Sequence, residues 1–242
     1  MNLVIDVGNT RVKAALFEGV NNILRVSFLK EVFQEEINQI FERYSPAKVM
    51  ISTTGKLNRK NVKFLQGKVD FLEVSSKMKL PFKNNYKTPE TLGADRYALM
   101  AAAALNYPNQ NVLVIDTGTC ITYDFLNEYN QYKGGAISPG IQTRYKSLND
   151  LTANLPLLEK EPINLVVGRS TNESIHSGII NGVVNEIDGV IEYYKSLTPH
   201  LTVILTGGDT NFLANRLKNT IFATSNFLLE GLNFLLEINV SK

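Results

Sequence analysis

The 242-residue chain is 44% hydrophobic and 20% charged, the balance of a soluble globular protein with room for one large or two small domains. A net charge of +2 argues neither for nor strongly against anionic partners, and no basic run suggests a nucleic-acid face; a single cysteine, Cys120, excludes an internal disulfide, and two histidines, His176 and His200, are too few for the usual zinc site. No basic leader precedes the first apolar run, and the longest apolar stretch, 97–105, is too short to span a bilayer, so no membrane is expected and the cytoplasm is the expected compartment.

The chain opens with Leu3-Val4-Ile5-Asp6-Val7-Gly8-Asn9-Thr10, an apolar run that delivers an acid to the end of a strand and then turns. Gly8 permits a tight turn and close approach of a ligand, and Asn9 and Thr10 supply donors for phosphate oxygens, although an ordinary polar hairpin has the same look. Val32, Ile37, Ile40 and Phe41 fall at helical spacing before Ser45-Pro46. A strand over 48–52 leaves through Ser52-Thr53-Thr54-Gly55, and a helix over 58–67 and a strand over 69–74 complete an α/β pattern. The stretch 79–95, broken by Pro81, Asn84, Asn85, Pro89 and Gly93, is a long irregular loop of the kind that usually carries function.

It leads into Gly93-Ala94-Asp95-Arg96 and an alanine-rich helix that should pack closely against another element. Asp95 then lies in the first helical turn, where the helix dipole favours an acid and should lower its pKa. Residues 106–111 form the expected boundary between domains at 1–108 and 109–242. Asp116-Thr117-Gly118-Thr119 makes a second hairpin, with strand alternation across Thr119, Ile121, Tyr123 and Phe125. Gly134 to Gly140 reads as a strand end opening into a loop. Ser170 and Glu173 have capping-box spacing ahead of a long amphipathic helix, whose Gly178, Gly182 and Gly189 suggest close approach by a helix of this chain or of a partner. A buried strand over 201–205 then exits through Thr206-Gly207-Gly208, and a helix follows from Asn211.

Leu113-Val114-Ile115-Asp116-x-Gly118 repeats Leu3-Val4-Ile5-Asp6-x-Gly8, and in the same register Leu16 falls on Leu126 and Glu18 on Glu128. A strand-Asp-x-Gly hairpin in each half points to a duplicated fold. In this the chain resembles the acetate and sugar kinase, heat-shock chaperone ATPase and actin superfamily. The resemblance implies an α/β fold of duplicated ribonuclease H-like domains, each a mixed sheet with flanking helices, with an ATP cleft between them.

Five segments in order, Asp6 to Lys13, Gly93 to Arg96, Asp116 to Asp124, Gly134 to Gly140 and Thr206 to Gly208, are similar to the motifs of type III pantothenate kinases. The resemblance implies that Asp6, Val7, Gly8, Asn9, Thr10, Arg11, Val12 and Lys13 form the first ATP phosphate loop, with Asp6 near Mg²⁺ or another divalent cation. It makes Thr119 a further ATP contact and Asp116 the site of a monovalent cation, K⁺ or NH₄⁺. Pantothenate would be held by Tyr86, Gly93, Ala94, Asp95, Arg96 and Thr171, with Asp95 the base that takes the proton of its hydroxyl. A lowered pKa suits that role only if the proton leaves late in a loose transition state. The family resemblance also implies a homodimer whose substrate site borrows from the second subunit. Cys120 replaces the usual alanine of the second motif and is expected to be a buried, inert thiol.

The implied activity is ATP-dependent phosphorylation of pantothenate to 4′-phosphopantothenate, the first step of coenzyme A biosynthesis. The alternatives are another small-molecule kinase or phosphohydrolase of the superfamily, or a non-enzymatic transcription accessory factor.

Overall fold

The computed structural model describes residues 1–55 and 57–240. Two compact units make up the chain, one of Met1–Asn109, Leu126–Lys133 and Asn226–Lys242, the other of Gln110–Phe125 and Gly134–Ser225.

The first unit runs β1 (Asn2–Val7), β2 (Arg11–Glu18), β3 (Asn21–Leu29), α1 (Phe33–Tyr44), β4 (Lys48–Thr53), α2 (Arg59–Gln66), β5 (Phe71–Glu73), β6 (Lys83–Asn84) and α3 (Ala94–Asn106). Its sheet has the order β3-β2-β1-β4-β5, with β1 antiparallel to β2 and parallel to β4. Every residue of β1 is buried, which explains its uninterrupted apolar run: a central strand is covered on both faces. On one face Leu3, Ile5 and Val7 join Val12, Ala14 and Leu16 against Phe33, Ile37 and Ile40 of α1. The helix stops at Ser45, in the left-handed region with φ 46°, and Pro46 cannot continue it. β3 is absent from the predicted order; Leu24, Val26 and Phe28 point inward between Arg25 and Ser27, the half-buried alternation of an outer strand.

The second unit contains β7 (Asn111–Thr117), β8 (Cys120–Leu126), β9 (Gln131–Pro139), α4 (Ile141–Leu151), α5 (Thr171–Leu197), β10 (Leu201–Thr206), the single turn α6 (Thr210–Leu213) and β11 (Phe222–Ala223). The order β9-β8-β7-β10-β11 repeats that of the first unit, and β10 lies parallel to β7 as β4 does to β1. Asp6 is registered with Ser52, and its counterpart Asp116 with Thr206, so the duplication extends to each strand exit. Ile121 to Asp124 are all buried, so β8 lacks the predicted alternation because both of its faces are covered. The core joins Leu113, Ile115 and Leu205 to Ile175, Ile179, Val183, Ile187 and Ile191 of α5. Ser170 caps that helix, its hydroxyl accepting from Glu173 N at 3.3 Å while Glu173 Oε2 accepts from Arg169 N.

The last helix, α7 (Phe227–Asn239), belongs to the first unit, as does the β8–β9 tip, 126–133. This grouping differs from the expected division at 108/109. α7 packs on α3 so closely that a Cβ on Gly231 would stand 1.9 Å from Ala98 O. Of the two neighbours expected for the glycines of α5, a helix of this chain or of a partner, the described residues supply none at close range: nothing lies within 4 Å of a Cβ at Gly178 or Gly189, and Arg144 Nη1, at 4.0 Å, meets one at Gly182. Among the described residues no helix is long and apolar enough to cross a membrane.

Candidate active site

In the first unit Asp6 is the penultimate residue of β1, and after Val7 the chain turns back through Gly8, whose N–H donates to Arg11 O at 3.1 Å. The strand exit of β4 closes under this turn: Thr54 and Gly55 donate their N–H groups to Val7 O at 3.2 and 3.0 Å. Gly55 is required there, because a Cβ would lie 2.6 Å from Gly8 O and 2.8 Å from Lys30 Nζ. The same proximity puts the Lys30 ammonium beside the hairpin, a cation that no sequence motif marks. Val7 and Val12 are core residues, so they can offer a ligand only main chain. Arg11 is tied to β3, donating from Nε to Ser27 Oγ at 3.0 Å and from Nη2 to Ser27 O at 2.7 Å. Asn9 and Thr10 are exposed at the tip.

Asp6 is 5% exposed, and its Oδ1 is buried without a hydrogen-bond partner among the described residues. Burial pushes its pKa up to about 6; Lys13 pulls it down, the Asp95 charge pushes it up, and the Ser52 hydroxyl pulls it down. Asp6, Lys13 and Asp95 therefore share one electrostatic site. Among the described residues no group of three or more His, Cys, Asp and Glu could hold a metal. A lone buried carboxylate oxygen fits a hard divalent cation that takes its remaining ligands from phosphate and water.

Asp95 is the second residue of α3, and its Oδ1 folds back to accept from Arg96 N at 2.8 Å. Its pKa is raised, contrary to the expected lowering. Burial is the largest influence and outweighs the backbone hydrogen bonds and the charges of Arg96 and Lys13, which all favour the carboxylate. Burial therefore leaves this carboxylate a stronger proton acceptor than the helix start alone would make it.

Arg96 is 4% exposed, and its guanidinium carbon lies 5.4 Å from the Tyr86 ring centre and 5.9 Å from that of Tyr132. The loop 79–93 is held from below: Tyr97 Oη donates to Pro89 O at 2.7 Å and accepts from Asn84 Nδ2 at 3.3 Å. Tyr86, Gly93, Ala94, Asp95 and Arg96 thus gather at the start of α3. Tyr132 joins them without a signal in the sequence beyond an aromatic ahead of a glycine pair.

In the second unit Asp116 is the penultimate residue of β7, and the turn is closed by Gly118 N donating to Cys120 O at 2.9 Å. Gly207, with φ +101°, lies on this strand end; a Cβ there would be 2.3 Å from Asp116 Oδ1. Gly140 abuts the turn, its N–H donating to Thr119 O at 3.0 Å, while Arg144 Nε donates to Pro139 O at 2.8 Å. Cys120 is exposed, contrary to expectation, because it opens β8 at the rim of the hairpin. Thr171 opens α5 and lines an open groove of about 730 Å³ with Leu148, Leu155, Ile175 and Gly178.

The type III pantothenate kinase family model matches residues 2–193. A type III pantothenate kinase of Christiangramia forsetii is 49% identical over 241 residues, covering 99% of each chain. A solved structure from Campylobacter jejuni, described as a Baf family transcriptional activator, is similar at a TM-score of 0.62 and 20% identity over 97% of each chain. A glucokinase from an Antarctic psychrotroph is similar at 0.52 and 13% identity over 98% of each chain. These two likenesses bear on fold alone, that of duplicated ribonuclease H-like domains. Family model, close relative and the repeated acidic hairpins agree: the chain belongs to the type III pantothenate kinase family.

Proposed function

We propose that the chain transfers the γ-phosphoryl group of ATP to the primary hydroxyl of pantothenate, giving 4′-phosphopantothenate and ADP, the first step of coenzyme A biosynthesis. The observation behind this is the shared site of Asp6, Lys13 and Asp95: a buried carboxylate oxygen suited to a divalent cation, an ammonium for phosphate, and a base of raised pKa. Main-chain N–H groups of the 8–11 turn and the Lys13 ammonium bind the triphosphate. Mg²⁺, when bound through Asp6, supplies charge neutralisation at the phosphate oxygens.

Asp95 accepts the hydroxyl proton as the oxygen bonds to the γ-phosphorus and the bond to the ADP oxygen breaks. Arg96 presents its planar donors to the pantothenate carboxylate, and Tyr86 covers the substrate. Asp116 binds K⁺ or NH₄⁺, and Thr119 binds ATP. Thr171 contacts pantothenate from a second copy of the chain, which docks on the open, glycine-notched face of α5. The exposure of Val166 and Val167, 81% and 77%, beside that helix supports an interface there.

ATP-dependent phosphorylation of pantothenate, measured with and without K⁺ for the parent and for Asp95→Asn, tests the proposal. The parent turns over and the variant loses at least about a hundredfold in kcat while still binding both substrates. No turnover by the parent would end the kinase reading; full activity of the variant would end only the role of Asp95.

A further inference from the structure

We infer that Tyr132 is a positioning residue for substrate recognition: it sets the orientation of Arg96 and Tyr86 and thereby the affinity for the carboxylate end of the acceptor. The inference rests on the kinase reading above and adds a residue that no motif of the chain contains.

Tyr132 is 0% exposed, so it acts on substrate only through its neighbours. Its backbone is fixed by parallel pairing with β6: Asn84 is registered with Tyr132, Lys83 N donates to Asn130 O at 2.8 Å, and Asn85 N donates to Tyr132 O at 3.1 Å. The ring stacks on Tyr86 with centroids 6.0 Å apart and planes 17° apart, and meets Phe82 edge-on at 6.2 Å. Arg96 completes a triangle, its guanidinium carbon 5.9 Å from the Tyr132 ring and 5.4 Å from that of Tyr86.

Aromatic faces attract a guanidinium through their quadrupole and favour one orientation of its plane. Tyr86 is anchored at one end by its N–H donating to Asn84 Oδ1 at 2.9 Å, and its ring is held by the stack. Tyr132, fully buried and carried on a paired strand, gives the Tyr86 ring and the Arg96 guanidinium a fixed face to lie against.

The test compares Tyr132→Leu and Tyr132→Phe with the parent. Tyr132→Leu is expected to raise KM for pantothenate about tenfold, with KM for ATP unchanged and kcat within about threefold; Tyr132→Phe, which keeps the ring, restores near-parent values. An unchanged pantothenate KM in Tyr132→Leu overturns the inference. So does a common fall in kcat and in affinity for both substrates, which marks a merely structural role. In the ligand-free parent, the Arg96 Nε–H resonance should show an upfield ring-current shift, and its absence overturns the inference whether or not the leucine variant folds. Because that resonance needs no turnover, failure of the kinase reading is told apart from failure of the triangle.

Discussion

A Cβ built on Gly93 would lie 2.4 Å from Asp95 Oδ1, so the carboxylate occupies space that only a glycine at position 93 leaves open. Gly93 is the N-cap of α3 yet has no side chain to cap with; Asp95 takes over, accepting from Arg96 N. Gly93→Ala should displace the carboxylate and lower kcat by about ten- to a hundredfold, since misplacing a reacting group by an ångström carries such a loss. Steady-state kinetics should show KM for ATP near the parent value and a melting temperature lowered by only a few degrees.

Asp6 makes stability depend on pH. Its carboxyl titrates near 3.8 when unfolded and at about 6 in the folded chain. Below 3.8 both states are protonated and the group contributes nothing; above 6 the folded state holds a buried charge that costs about 3 kcal/mol. Ligand-free Asp6→Asn should therefore melt well above the parent at pH 8. The gap should narrow as pH falls through 6 and close near 4, and a constant gap in thermal scans would contradict the assignment.

The same carboxylates set the acidic limb of turnover. On the proposed roles Asp6 holds a cation and Asp95 accepts a proton only when ionised, and burial raises the pKa of both, that of Asp6 to about 6. A profile of kcat/KM should fall as pH drops below about 6 instead of holding to pH 4. Saturating Mg²⁺ should move the Asp6 contribution to lower pH.

Gly207 is the equivalent constraint in the second unit. It has φ +101°, and a Cβ would be 2.3 Å from Asp116 Oδ1 and 2.4 Å from Thr117 O. Gly207→Ala should cost about 3 kcal/mol or more through backbone strain and collision combined. Calorimetry should show a lower melting temperature, and any residual activity should lose its response to K⁺.

Much of this architecture was legible from the residues. The repeat of Leu3 to Gly8 at Leu113 to Gly118 locates the two equivalent strand ends, and the Ala101 to Ala104 run marks α3 as a helix in close contact with a neighbour. Periodicity did not reveal α4, because only Ile141 and Tyr145 of its eleven residues are buried. It also missed α7, where Glu230, Asn233 and Glu237 make only a narrow polar stripe on an otherwise apolar helix. The direction of the Asp95 shift was misread for a related reason. Local sequence displays the helix start and the neighbouring arginine, whereas the desolvation that wins depends on what else packs around the carboxylate. Tyr132 and Lys30 escape for the same cause: each reaches the site through strand pairing or a turn from elsewhere in the chain, and neither lies in a motif.

The seating of Gly231 on Ala98 O has a consequence for biosynthesis. The first unit lacks one of its layers until the final helix has left the ribosome, while the 110–225 stretch is already available to collapse. The half translated earliest is thus completed latest, and a nascent chain stalled before residue 227 would display the naked alanine face of α3 to any chaperone within reach.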